Sequence, residues 1–81
     1  MVTVKVFSSL RDITDENEFE IEARSVRELL KKSSKIYGRE FRAAIRKSSI
    51  LVNGRDVRHL KGPLKLNEDD EVCILPPAFG G

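Results

Sequence analysis

At Ser25 the hydrophobic period of the chain changes from two to about 3.6, and near Ile50 it changes back. A helix held between period-two runs must be reconciled with strands on both sides of it in sequence. Before the change, Val2-Thr3-Val4-Lys5-Val6-Phe7 alternates, with Val2, Val4 and Val6 on one face. Phe7 shares the other face with Thr3 and Lys5, so a large aromatic is expected where water should be. Residues 8 to 16 read as a loop whose Leu10 and Ile13 tuck back onto the core. Glu18 to Ala23 alternates again, with Phe19, Ile21 and Ala23 inward and three glutamates outward. The two runs predict an antiparallel hairpin. The glutamate row suits an edge strand, where charge discourages edge-to-edge association.

Ser25-Val26-Arg27-Glu28 is a capping-box sequence, in which the serine hydroxyl accepts from the backbone three residues on. Val26, Leu29, Leu30, Ile36 and Tyr37 follow near helical spacing. Gly38 is placed to end that helix, over about residues 25–37, in a left-handed conformation. Phe41, Ala44 and Ile45 predict a shorter second helical segment. Ile50-Leu51-Val52 then runs into Asn53-Gly54, a type I′ turn signal, and Arg55 to Arg58 are expected to return as a short strand. Gly62-Pro63 marks a further turn, and Leu64 and Leu66 are expected to plug the bottom of the core. Glu71 to Leu75 is the last strand, with Val72 and Ile74 inward and Cys73 and Leu75 outward. The order implies an α+β fold: a mixed sheet with the helix packed on one face and the other face open.

Beyond that strand stand Pro76-Pro77-Ala78-Phe79-Gly80-Gly81. Proline ends the strand and stiffens the exit, whereas glycine is thin and takes backbone angles closed to other residues. The residues alone leave two readings open, a narrow tip that carries a carboxylate into another protein or an ordinary frayed end. Composition bounds the rest. Eighty-one residues make one small domain, 40% hydrophobic and 35% charged, which is globular. A net charge of +2 does not favour nucleic acid or membrane. The single Cys73, with no apolar spanning run or signal-like leader, leads to the expectation of a soluble cytoplasmic protein.

The β-β-α-β-β order, the turn Val52-Asn53-Gly54, the run Leu66-Asn67-Glu68-Asp69-Asp70-Glu71-Val72 and the ending Pro76 to Gly81 resemble a known family. They are similar to the small subunit of molybdopterin synthase (MoaD) and, more broadly, to the ubiquitin-like sulfur carriers that include ThiS. The resemblance spans the chain, and its most specific part is Asp-Glu-Val leading through to Pro-Pro-x-x-Gly-Gly. It implies a ubiquitin-like β-grasp over residues 1–75, a mixed sheet of four to five strands curled around one main helix. Residues 76–81 would then be a flexible tail. First and last strands would lie adjacent and parallel at the centre, making Phe7 and Leu75 neighbours on the open face.

What the resemblance implies for chemistry falls on the tail. A ubiquitin-activating-like adenylating enzyme of the MoeB type uses ATP and magnesium to adenylate Gly81, and sulfur transfer leaves a thiocarboxylate there. The tail, Gly80 included, then enters the large molybdopterin synthase subunit (MoaE type) within a heterotetramer and donates sulfur to the pterin. Phe7, Leu75, Pro76, Pro77, Ala78, Phe79 and Arg11 would meet the partners, and the chain itself would bind no cofactor or metal. Phe79 departs from the family, which usually has a smaller residue before the glycines. A protein modifier forming isopeptide bonds through Gly81, and carriers for thiamine thiazole or tRNA thiolation, share the motif.

The remaining reactive residues carry less. Cys73 reads as a small half-buried hydrophobe rather than a sulfur relay. His59 has no second ligand near it in sequence. Asp69-Asp70-Glu71 reads as a solvated turn rather than a calcium site. Lys5, Arg11, Arg55, Arg58 and Lys61 are candidates for a basic rim, with ordinary solvated charge the plainer reading.

Overall fold

A computed structural model of the chain describes residues 1–60 and 64–77. The elements run β1 (Val2–Val6), α1 (Ser9–Thr14), β2 (Glu18–Ile21), α2 (Val26–Tyr37), α3 (Arg39–Arg46), β3 (Ser49–Val52), β4 (Arg55–Asp56), a 3-10 turn (Val57–His59) and β5 (Glu71–Leu75). The five strands form one sheet in the order β2-β1-β5-β3-β4. β1 and β5 are parallel neighbours at its centre, and the other pairings are antiparallel. This is the expected mixed sheet, with the glutamate-bearing β2 at one edge.

Burial follows the alternation. Val2, Val4, Val6, Val72, Ile74 and Ile50 join Val26, Leu29, Phe41 and Ile45 of the helices in one buried cluster. The helices therefore cover one face of the sheet and, among the described residues, leave the other open. Phe19, Tyr37 and Phe41 continue this core as a run of tilted rings with centroids 5.1 and 5.3 Å apart. Leu66 is buried and Leu64 packs against the cluster, closing the far end as expected. The segment is held there by backbone bonds from Val26 N–H to Leu64 and from Leu66 N–H to Arg24.

The helix start is a capping box displaced by one residue. Ser25 Oγ accepts from Glu28 N–H at 3.1 Å, while Glu28 Oε1 accepts at 2.7 Å from the N–H of Arg24 rather than of Ser25. Gly38 ends α2 at φ 93°, but its ψ of −167° is extended rather than left-handed helical, because the same residue opens α3 at once. Asn53 and Gly54 both have positive φ, as a type I′ turn requires. Asn53 also has a second task. Its side chain accepts from Glu71 N–H and donates to Asp70, tying the hairpin tip to the start of β5.

Three expectations need correction. Residues 8 to 16 are not a simple loop: Ser9–Thr14 is helical, and Leu10 and Thr14 are buried one turn apart. Six residues are too few to show a period, and Ser8 at φ 53° marks the break from β1. The return strand stops at Asp56, whose carboxylate accepts from Arg58 N–H and starts the 3-10 turn. Ile36 is exposed, because the inward line of α2 runs Leu29–Ser33–Tyr37 and places Ser33 where an apolar residue was expected. The turn expected at Gly62-Pro63 lies outside the described residues.

Ser33 leads to a stability prediction. Its Oγ is fully buried with no hydrogen-bond partner among the described residues. An orphaned buried hydroxyl costs about 1–3 kcal/mol, and alanine also favours helix. Ser33→Ala is therefore expected to stabilise the fold by about 1–2 kcal/mol, read as a raised midpoint in urea unfolding. A lowered midpoint would mean that the hydroxyl has a partner.

Candidate functional site

Because inward residues alternate, the open face is fixed by the ladder register. Lys5 pairs with Cys73 and Cys73 with Leu51, while Leu75 pairs with Ser49. Continued by one residue beyond the Val6–Ile74 pair, the parallel register sets Phe7 beside Leu75. Phe7 is 39% exposed, and Leu75, Cys73 and Leu51 are half-buried. Together they form an apolar patch across β1, β5 and β3, at the end of the sheet where β5 finishes. The sequence reading included Phe7 and Leu75 but missed Leu51. Three consecutive apolar residues, Ile50 to Val52, conceal the alternation, and only the pairing with Cys73 shows which face Leu51 takes.

Towards the other end the face turns polar. Lys5 Nζ lies 3.2 Å from Glu71 Oε2, and Cys73 Sγ donates to Glu71 Oε1 at 3.7 Å. The carboxylate raises the Lys5 pKa by its hydrogen bond and charge. Burial, and then the Glu71 charge, push the Cys73 thiol up from its ordinary value. Both influences disfavour the reactive thiolate, which suits the reading of Cys73 as a small half-buried hydrophobe. Its alkylation by iodoacetamide at pH 8 is expected to be several-fold slower than that of free cysteine, and to rise in the Glu71→Gln chain. Mass spectrometry of a timed quench checks this; alkylation as fast as free cysteine would contradict it.

Pro76 is half-buried and Pro77 exposed, so the chain leaves the sheet from the C-terminal end of its central strand, beside the patch. Ala78, Phe79, Gly80 and Gly81 lie outside the described residues. Arg11 is exposed on α1, its backbone N–H bonded to Ser8 within one turn of Phe7 and its guanidinium 3.5 Å from Asn17 Oδ1. The register therefore sets Phe7 beside Leu75, with Pro76 next in the chain, and Arg11 lies on the neighbouring helix. Of the candidate basic rim, Lys5 and Arg58 face carboxylates, with Arg58 Nη2 at 2.8 Å from Asp56. Lys61 lies outside the described residues. Asp70 is part of the turn framework, accepting from Asn67 N–H and from Asn53. No described helix is long and apolar enough to cross a membrane.

Comparison with curated protein sequences gives no match. Solved structures do match. Small archaeal modifier protein 1 from Methanosarcina acetivorans superposes with a TM-score of 0.87 at 29% identity, covering 99% of this chain and 95% of that one. A chain of the BexX/CysO complex from Amycolatopsis orientalis gives 0.84 at 26%, covering 100% of both. A chain from the complex of subunits 1 and 2 of the molybdopterin-converting factor of Helicobacter pylori gives 0.67 at 25%, covering 99% and 97%. The model of the ThiS family matches residues 4–81, nearly the whole chain and its Gly-Gly ending. With the central parallel pair, the single helical layer and the open face, the chain belongs to the ThiS family, the ubiquitin-like β-grasp sulfur carriers of the MoaD/ThiS type.

Proposed function

We propose that this chain carries sulfur as a thiocarboxylate on Gly81 and donates it, as a small synthase subunit, in molybdopterin synthesis. The observation that carries the reading is the position of the apolar patch. It lies at the exit of the central strand that leads into Pro76-Pro77-Ala78-Phe79-Gly80-Gly81. A partner seated on Phe7, Leu75 and Leu51 has the tail within reach. Six residues extend about 20 Å at most, enough to carry the terminal carboxylate into a partner's interior. On this reading residues 1–75 are the docking domain and 76–81 the working arm.

The chemistry explains the division of labour. A carboxylate is a poor electrophile. Attack by its oxygen on the α-phosphate of ATP, with magnesium on the leaving pyrophosphate, gives an acyl-adenylate. Sulfide-level sulfur from a donor then adds to the acyl carbon, and the acyl–phosphate bond breaks to release AMP and leave the thiocarboxylate. Both steps need a site that excludes water, which the partner adenylating enzyme of the MoeB type supplies. The large subunit of the MoaE type would then take the thiocarboxylate within a heterotetramer. This chain is the cosubstrate; it contributes fit, reach and the reacting group. The match to a chain of a molybdopterin-converting-factor complex supports this reading.

The match to a small archaeal modifier protein supports a second reading, in which the activated Gly81 joins lysines instead. Intact-mass measurement of the chain from its native cell separates the two. Exchange of one carboxylate oxygen for sulfur is the expected result. Conjugates containing this chain, with no thiocarboxylate form, would replace the first reading by the second.

A further inference from the structure

Residues 27–47, which hold α2 and α3, contain eight of the chain's fifteen basic residues and only two of its thirteen acidic ones. The net charge of +2 therefore conceals a helical segment of +6 against −4 for the rest. Six of these cations are arranged in two rows. Arg27, Lys31 and Lys35 recur every fourth residue on α2, and Arg39, Arg42 and Arg46 recur at three and four on α3. The rows face each other across an open groove of about 630 Å³. Leu30, half-buried, supplies apolar surface between them, with the almost buried Ile45 at the bottom of the groove. All six cations are exposed, and among the described residues none has a carboxylate within salt-bridge distance. The helices cover the sheet face opposite the apolar patch, so this groove points away from the carrier surface.

We propose that the groove between α2 and α3 is a second docking site, which takes an acidic amphipathic helix of a protein partner. Two cationic rows flanking an apolar strip match a helix whose leucine stripe seats on Leu30 while glutamates on its flanks meet the rows. A nucleic acid fits less well. It has phosphates for the cations but no use for the apolar floor, and among the described residues no aromatic side chain lines the groove as a stacking platform. Tyr37, the nearest candidate by sequence, stacks between Phe19 and Phe41 in the core. Repulsion among six cations with no carboxylate partner among the described residues is relieved by a bound anion, which favours acidic partners in the groove. The site is independent of the tail chemistry and leaves the open sheet face free for an adenylating or synthase partner.

The probe is a synthetic helical peptide of about eighteen residues with leucines at helical spacing and glutamates beside them. Backbone amide NMR of the full-length chain reads where it binds. Shifts confined to residues 27–46, weakened at least tenfold by Arg42→Glu with Arg46→Glu and severalfold by Leu30→Ser, are expected. Binding should also weaken as salt is raised. Arg42 and Arg46 are exposed, so an unchanged thermal midpoint shows that their variant folds; Leu30 packs against the core, and a dispersed amide spectrum shows that the Leu30→Ser chain folds despite a lowered midpoint. A scrambled peptide that binds equally well overturns the proposal, as do shifts centred on the open sheet face or no binding at millimolar peptide. Tighter binding of a single-stranded RNA of about fifteen nucleotides at the same residues would assign the groove to nucleic acid instead.

Discussion

A chain carrying one extra residue after Gly81 is expected to acquire no sulfur, with loading by the adenylating enzyme at least about 100-fold slower than for the original chain. The extension turns the reacting carboxylate into an amide, which cannot attack ATP. It also moves the new terminal carboxylate one residue too far along a site built to hold the last two glycines. Gly80→Val is expected to act more weakly in the same direction, because its branched Cβ widens a backbone that must pass a narrow channel. Among the described residues the buried cluster ends in sequence at Ile74, so the thermal midpoint is not expected to move. Intact mass after incubation with adenylating enzyme, ATP and a sulfur donor gives the answer. Normal thiocarboxylate on a chain that still carries its extension would remove Gly81 from the mechanism.

The fold was legible where period and burial agree. Val2, Val4 and Val6, then Val72 and Ile74, were assigned inward by alternation and are almost fully buried. Ser25 and Glu28 fixed the start of α2 because a capping box is a local signal. What sequence pattern could not supply was set by contacts distant in the chain. α1 is helical because Leu10 and Thr14 meet the core, over too few residues to display a period. Leu51 belongs to the open face because Cys73 lies across from it, 22 positions later in the chain. The sequence reading also took net charge as evidence about partners. That quantity sums over the whole surface, whereas partners meet one face. The cationic rows on α2 and α3 were readable as i, i+4 and i, i+3 repeats, yet their convergence on one groove depends on how the two helices pack.

The same distinction between surface and core governs the patch. Phe7→Ser and Leu75→Thr together are expected to lower kcat/KM for sulfur loading by about 30-fold or more, since apolar anchors at an interface cost about 1 kcal/mol or more each when removed. Threonine is chosen for Leu75 because it is at home in a strand, so the central ladder with β1 and β3 is kept. Phe7 lies past the last described pair of β1, and its loss should leave the register of Val6 and Ile74 unchanged. The effect should fall on KM. At saturating adenylating enzyme the doubly substituted chain should load at close to the original rate, because the acyl carbon and its tail are intact. Leu51→Thr, further from the strand exit, should cause a smaller loss, and Ile36→Ser, on the exposed side of α2, none. Loading at the original kcat/KM by the doubly substituted chain would mean that the tail alone is recognised. A fall in maximal rate with KM unchanged would place Phe7 and Leu75 in tail positioning rather than in docking.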